Sequence, residues 1–329
     1  MNLDEIEFIR SSLPEGRTKF YTFKDQYAFN LLSWKLGDRT VTVNDLKKQQ
    51  DLRNYIHKPA LSSYFKEHAN GRISSLDLSY YWPKNERGHV FRLTLDQWGS
   101  RRGERMWHQT SRDGYNLVLQ LNFLADHDKA YASLGTEEDE MDPCRFAFRG
   151  HPVRIGDYNT MSWARLDIDL NSGTSLIEEI QNDWLRRAHT MYRHLSQRVT
   201  SGSLKTQDQW KNVSVSSLLK YYEQYLNPII KQWEETTLWA AIWFLKVELG
   251  INQIHYHSWE SGIQHKGIDP RWAPPKSIYT QLPQRFGFTQ TDQGPEFITN
   301  PATDHKRNRR KKHRTESPKW WFLNLNNTK

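Results

Sequence analysis

The sequence predicts an α+β fold built on a mostly antiparallel sheet, and three observations carry that expectation. Stretches between residues 73 and 123 alternate apolar and polar side chains with period two, as half-buried strands do. A second pair, 163–169 and 176–181, repeats the alternation on either side of Asn171-Ser-Gly-Thr174, a sequence suited to a hairpin connection. Beyond Trp184 the apolar period lengthens to that of a helix.

Taken in order, residues 1–72 form a helical N-terminal portion. Phe20–Phe23 reads as a short strand, and Asp25 caps a helix that runs to Leu36 and stops at Gly37. Thr42 caps a second helix, and Pro59 sits in the first turn of a third. Three short helices resemble a helix-turn-helix only loosely, and structural packing is the stronger expectation. Residues 73–300 form the α+β core. Its strands are Ser75–Trp82, His89–Asp96, Asn116–Phe123, Arg145–Arg149, Trp163–Asp169 and Leu176–Gln181, with an acid-rich loop at 136–142. Helices follow at 184–198, 214–225 and from Pro228 to Leu249, ended by Gly250. The run Leu238–Leu245 is apolar all round, which predicts burial between the sheet and another layer. Ile251–His257 is then a strand, 275–282 a short helix and Phe286–Thr289 the start of another strand. Residues 301–329 read as a basic, disordered tail.

Charge narrows the partners. The net charge is +8, and the run 305–314 holds Lys306, Arg307, Arg309, Arg310, Lys311, Lys312 and Arg314 with no acid. Clustered basic charge favours phosphate contact through counterion release, so DNA or RNA is the expected partner of this run. A solvated terminal tail would carry the same residues. Cys144 is the only cysteine, which excludes an intramolecular disulfide and a cysteine zinc site. The acidic start (Asp4, Glu5, Glu7) lacks the pattern of a signal peptide, and the longest apolar run is too short to span a bilayer. A cytoplasmic, membrane-free protein is the expectation. The 14 Trp, 15 Tyr and 14 Phe supply core and interface area alike, so oligomeric state stays open.

Chemistry concentrates at Leu176-Ile-Glu-Glu-Ile-Gln-Asn-Asp-Trp184. In a regular strand Leu176, Glu178 and Ile180 share one face, while Ile177, Glu179, Gln181 and Asp183 share the other. Carboxylates among branched apolar residues on both faces break the inside/outside pattern, and such breaks mark functional or strained sites. Should this strand neighbour 251–257, Glu179, Gln181 and Asp183 face Gln253, His255 and His257 across a polar pocket. Glu179 is the favoured general base. Asp183 is also suited to cap the following helix, and Glu178 to bind an arginine. Arg165 pairs with Glu178 or Glu179 across the hairpin. His255-x-His257 with carboxylates could form a metal ligand set, but its specificity is low and no metal is assigned. Trp98, Arg101, Arg102, Arg105, Trp107 and His108 mix guanidinium and aromatic groups, as nucleotide contacts and ion-paired hairpin loops both do.

Two resemblances rest on these residues. Trp163-Ala-Arg-Leu-Asp followed by Glu179-Ile-Gln-Asn-Asp-Trp184 resembles an E-I-Q-S-D-W signature of large polyvalent proteins from phages and other mobile elements, with Asn182 in place of the usual Ser. That similarity continues through 249–257 to 278–288. The second is fold-level. A helix ended by Gly250, a strand, a short helix with Tyr279 and then Phe286-Gly-Phe288 looks like the closing segment of GNAT acyltransferases. It implies a GNAT-like C-terminal half, about 145–300, enlarged by an inserted helical pair, in which 177–181 and 251–257 are parallel strands that splay around acyl-coenzyme A. Tyr279 then stands where such enzymes place a proton donor. The family's glycine-rich phosphate loop is replaced by Asn182-Asp183-Trp184-Leu185-Arg186-Arg187, which counts against acyl-coenzyme A. The functions expected are a phage- or mobile-element-linked transferase acting on nucleic acid or protein, or a noncatalytic nucleic-acid-binding or structural protein.

Overall fold

Eight strands hydrogen-bond into one sheet: β1 (Lys19–Thr22), β2 (His89–Ser100), β3 (Gly114–Asn122), β4 (Thr160–Asp169), β5 (Thr174–Gln181), β6 (Gln253–His257), β7 (Thr289–Thr291) and β8 (Trp320–Asn324). Their order across the sheet is β1-β2-β3-β4-β5-β6-β8-β7. Every neighbouring pair is antiparallel except β5 and β6, which run parallel. The computed structural model describes residues 1–13, 18–68, 71–84, 88–100, 109–135, 145–269, 271, 274–299 and 318–326.

The alternation in the sequence is what gives the sheet two unlike faces. One is apolar: Leu117, Leu119 and Leu121 of β3, Ala164, Leu166 and Ile168 of β4, Ile177 and Ile180 of β5, and Ile254 and Tyr256 of β6 all join one buried cluster. Two helices packed with this cluster are α1 (Trp184–Thr200) and α2 (Trp233–Trp243). As the composition of 238–245 predicts, α2 lies between layers. Thr237 bonds Ser162 of β4 at 2.6 Å, and Trp239 packs against Trp34 of the helix Gln26–Leu36, with ring centroids 5.5 Å apart. The opposite face is mixed: beside Val118, Trp163 and Leu176 it carries Thr94, Gln120, Arg165, Asp167, Glu178, Glu179 and His257, all buried. It is covered in part by α3 (Trp259–Lys266), whose N-cap Ser258 accepts from the Ser261 amide.

Several expectations are corrected. Ser75–Trp82 is not a strand; Ser75–Ser79 is a helical turn begun by a capping box between Ser74 and Asp77. Leu76 and Leu78 mimic alternation, but only Leu78 is buried. Arg145–Arg149 forms no strand, because the carbonyls of Arg145 and Ala147 accept the Arg187 guanidinium, each at 3.0 Å. The helix from Pro228 breaks after Ile230 and resumes as α2, which passes into a wider π-helical turn, Phe244–Glu248. The largest correction concerns the C-terminal tail. Residues 320–324 form β8, inserted between β6 and β7, with Trp320 and Trp321 buried. The basic run itself, 305–314, lies outside the described residues, as do Arg101, Arg102, Arg105, Trp107, His108 and Cys144. Among the described residues, no helix is long and apolar enough to cross a membrane.

Candidate functional site

A single extra residue in β5 creates the site. Arg165 of β4 stands opposite Glu179, yet the next residue, Leu166, stands opposite Ile177, so Glu178 is left over as a bulge. The bulge resets the alternation. Ile177 and Ile180 both enter the apolar core, whereas Glu178 and Glu179 both reach Lys266 on the mixed face. The expectation that the two glutamates lie on opposite faces is therefore wrong, because a regular period of two does not survive a bulge.

The same point ends the parallel ladder. β5 and β6 pair from Thr174/Gln253 to Ile177/Tyr256 and no further. The carbonyl of Glu178, beyond the last pair, accepts instead from the Lys266 ammonium at 2.7 Å. Lys266 Nζ also donates to Glu179 Oε2 at 2.9 Å, and Arg165 Nη2 reaches that oxygen from β4 at 2.6 Å. Two carboxylates thus meet two cations in a buried, electrically balanced cluster. Burial pushes the Glu179 carboxyl up, but the charges and hydrogen bonds of Arg165 and Lys266 outweigh it and bring the pKa down to about 2.

Glu178 is bound still more completely. Burial favours its neutral form, but His257, Lys266 and Arg165 win and hold it well below the usual carboxylate range. Oε1 accepts from the Ser111 amide at 2.9 Å, and Oε2 from the Ser111 hydroxyl at 2.8 Å and His257 Nε2 at 3.2 Å. His257 Nε2 is also 2.8 Å from Ser111 Oγ, and Nδ1 is 2.8 Å from Ser261 Oγ. Serine, histidine and carboxylate are the residue types of a nucleophilic triad, but the roles differ. Here the carboxylate binds the serine rather than the far nitrogen of the imidazole, and the side chains of Glu178 and His257 are fully sealed.

The other expected site residues scatter. Asp183 occupies the N-cap position of α1 but makes no capping bond. The Asn182 side chain takes the Arg186 amide instead, at 3.0 Å, while Asp183 accepts from His151 Nδ1 at 2.8 Å and Arg186 Nη2 at 3.0 Å. His255 packs on Phe322 and does not join the carboxylates; burial, aided by His257, lowers its pKa to about 4. Gln253 is exposed. Tyr279 stacks on Tyr256 in the apolar core. Burial raises its hydroxyl pKa well above the ordinary value, so it is a poor proton donor. No group of three His, Cys, Asp or Glu among the described residues is placed to hold a metal.

Gln181 does meet open space. With Trp98, Gln109, Phe148, His151, Trp163, Arg165 and Glu179 it lines a cavity of about 330 Å³ beside the ion cluster. Its rim is aromatic, with the His151 ring 5.0 Å from Phe148 and 5.3 Å from Trp163. The sequence reading missed Ser111, Lys266 and His151. Ser111 and Lys266 are brought to the carboxylates by pairings 67 and 87 residues apart in the chain, for which no local pattern exists. Comparison with protein-family models, curated proteins and solved structures finds no match to this chain.

Proposed function

We propose that this protein is a noncatalytic nucleic-acid-binding protein built on an acyltransferase-like sheet. One observation carries the noncatalytic part: Glu179, the favoured base, is locked between Arg165 and Lys266 with its pKa depressed. A general base works best with a pKa near the working pH, and this carboxylate is far too weak a proton acceptor for that. Nucleic acid is supported by the basic run 305–314. The signature shared with polyvalent proteins makes a phage or mobile-element setting in the cytoplasm part of the same reading.

A transferase is the second reading, favoured by the parallel neighbours β5 and β6 that part company at a bulge. The residues present do not fit acyl-coenzyme A. Lys266 fills the gap where the strands part, and Asp183 brings negative charge to the start of α1, where a pyrophosphate would sit. Native mass spectrometry with acetyl-coenzyme A and with a single-stranded oligonucleotide separates the two readings. An oligonucleotide complex without retained coenzyme A is expected. Stoichiometric coenzyme A, with acetyl transfer lost in Glu179→Gln, would overturn the proposal.

A further inference from the structure

A second basic region stands apart from the run at 305–314. Residues 184–231 contain eight Lys/Arg and two acids, and α1 contains four Arg and two His with no acid. Of the two acids, Glu223 is engaged with Tyr192 and Asn227. Helical spacing sorts α1 into two stripes. Trp184, Leu185, Ala188, Met191 and Leu195 are buried, while Arg186, Thr190, Arg193, His194 and Gln197 are exposed. At 1.5 Å per residue the exposed stripe runs about 16 Å.

Both ends of that stripe carry aromatic groups. At its head, Arg186 bonds Asp183, Asp183 bonds His151, and His151 lines the 330 Å³ cavity with Trp98 and Phe148. At its foot, Trp210 of the hairpin Gln209–Trp210/Val213–Ser214 lies 5.1 Å from the His194 ring and 5.4 Å from the Arg198 guanidinium, and Lys211 is exposed in the turn.

We propose that the exposed face of α1 is a track for single-stranded nucleic acid, with an unpaired base held in the cavity beside His151. This rests on the nucleic-acid reading above and names the surface that performs it. Arg186 and Arg193, about 10 Å apart along the helix, offer two phosphate contacts on one face, and an aromatic rim gives a planar base a stacking partner. The amides of Gln109 and Gln181 and the Arg165–Glu179 pair at the cavity wall offer donors and acceptors to the base edge. A duplex has no free base to fill the cavity. A membrane surface is not matched either, because the exposed stripe has no large apolar side chain to insert.

The test is fluorescence anisotropy of the full chain with a fluorescein-labelled oligothymidylate of twenty nucleotides, over a salt series. Losing two phosphate contacts in Arg186→Ala/Arg193→Ala is expected to lower the salt slope by about 1.4 and weaken binding by roughly an order of magnitude at 0.1 M salt. Phe148→Ala is expected to weaken binding about tenfold and leave the slope unchanged, since stacking releases no counterions. Because Arg186 also pairs with Asp183, Arg193→Glu alone serves as a second variant that leaves this bond intact. Glutamine at all seven basic positions of 305–314 tests the other basic region while keeping β8 in place.

No binding by the unaltered chain would overturn the nucleic-acid reading itself. Binding that ignores the α1 variants but vanishes with the glutamine-substituted run would overturn the track and leave that reading standing. A preference for duplex, or equal competition by polyglutamate, would also overturn the track, the latter in favour of an acidic protein partner.

Discussion

Replacing Lys266 by methionine keeps the length of the side chain and removes its charge. The ammonium sits on a residue only 8% exposed and holds the Glu178 carbonyl at 2.7 Å and the Glu179 carboxylate at 2.9 Å. Breaking a buried ion pair on one side leaves a charge without compensation, at a cost of about 3–5 kcal/mol. With an unfolding entropy of about 2.1 cal/mol/K per residue, a cost of about 4 kcal/mol lowers the melting temperature of a chain this long by about 6 °C. Calorimetry at pH 7 measures that directly. The pH dependence supplies a signature: without Lys266 the Glu179 carboxyl protonates more easily, so the deficit against the parent protein should shrink on acidification toward pH 5. Adding Glu179→Gln should recover part of the loss, because the carboxylate that Lys266 served is then gone. A shift under about 1.5 °C at pH 7, or a deficit that grows toward pH 5, would refute the ionic cluster as a buried, balanced unit.

Two further outcomes follow from the same geometry. The folded protein binds a proton at His255 only at about pH 4, whereas the unfolded chain does so at 6.5, so the stability His255 contributes is complete above about pH 6.5 and is lost as the pH drops toward 4. Glu179 extends the decline from its ordinary 4.5 down to about 2, for a folded carboxyl that resists protonation. The loss from His255 approaches about 3 kcal/mol, and urea midpoints that stay constant from pH 7 to 4 would contradict it. Gly287 adopts φ +76°, and a Cβ there would run into the hydroxyl of Tyr55, which itself donates to the Phe286 carbonyl at 3.0 Å. Gly287→Ala should therefore cost about 2 kcal/mol or more in chemical denaturation, and an unchanged midpoint would show that the turn can shift.

What the sequence made legible was whatever a single segment decides for itself. The strands at 89–96, 116–123 and 163–169, the stop at Gly37 and the buried run at 238–245 all follow from period, capping or composition within a dozen residues. The bulge at Glu178 does not, because it is a property of the pairing between β4 and β5; the same six letters in a regular ladder would have put Glu178 and Glu179 on opposite faces. The position of Lys266 fails for a related reason. A lysine at the end of a short helix reads as a solvated charge, and only the parting of β5 from β6 creates the unpaired carbonyl that draws it inside. At 75–79 the legible signal was present in the capping box, and the apparent alternation of Leu76 and Leu78 concealed it. The carboxylates of 176–184 were thus found as a location, while their protonation behaviour depended on partners contributed by distant segments.

The place of β8 alters what kind of object the basic run 305–314 is. Its N-terminal flank ends in the turn Glu296–Thr299, and its C-terminal flank enters the sheet at Trp320, with Thr299 and Trp320 both packing beside Gly294. The run is therefore spliced into the architecture and anchored on both sides, rather than trailing from it. The strand that follows the run is hydrogen-bonded to β6, so a pull on those seven cations would be borne by the ladder that carries His255 and His257. Truncating the chain ahead of the run to remove the charges would also take β8 out from between β6 and β7.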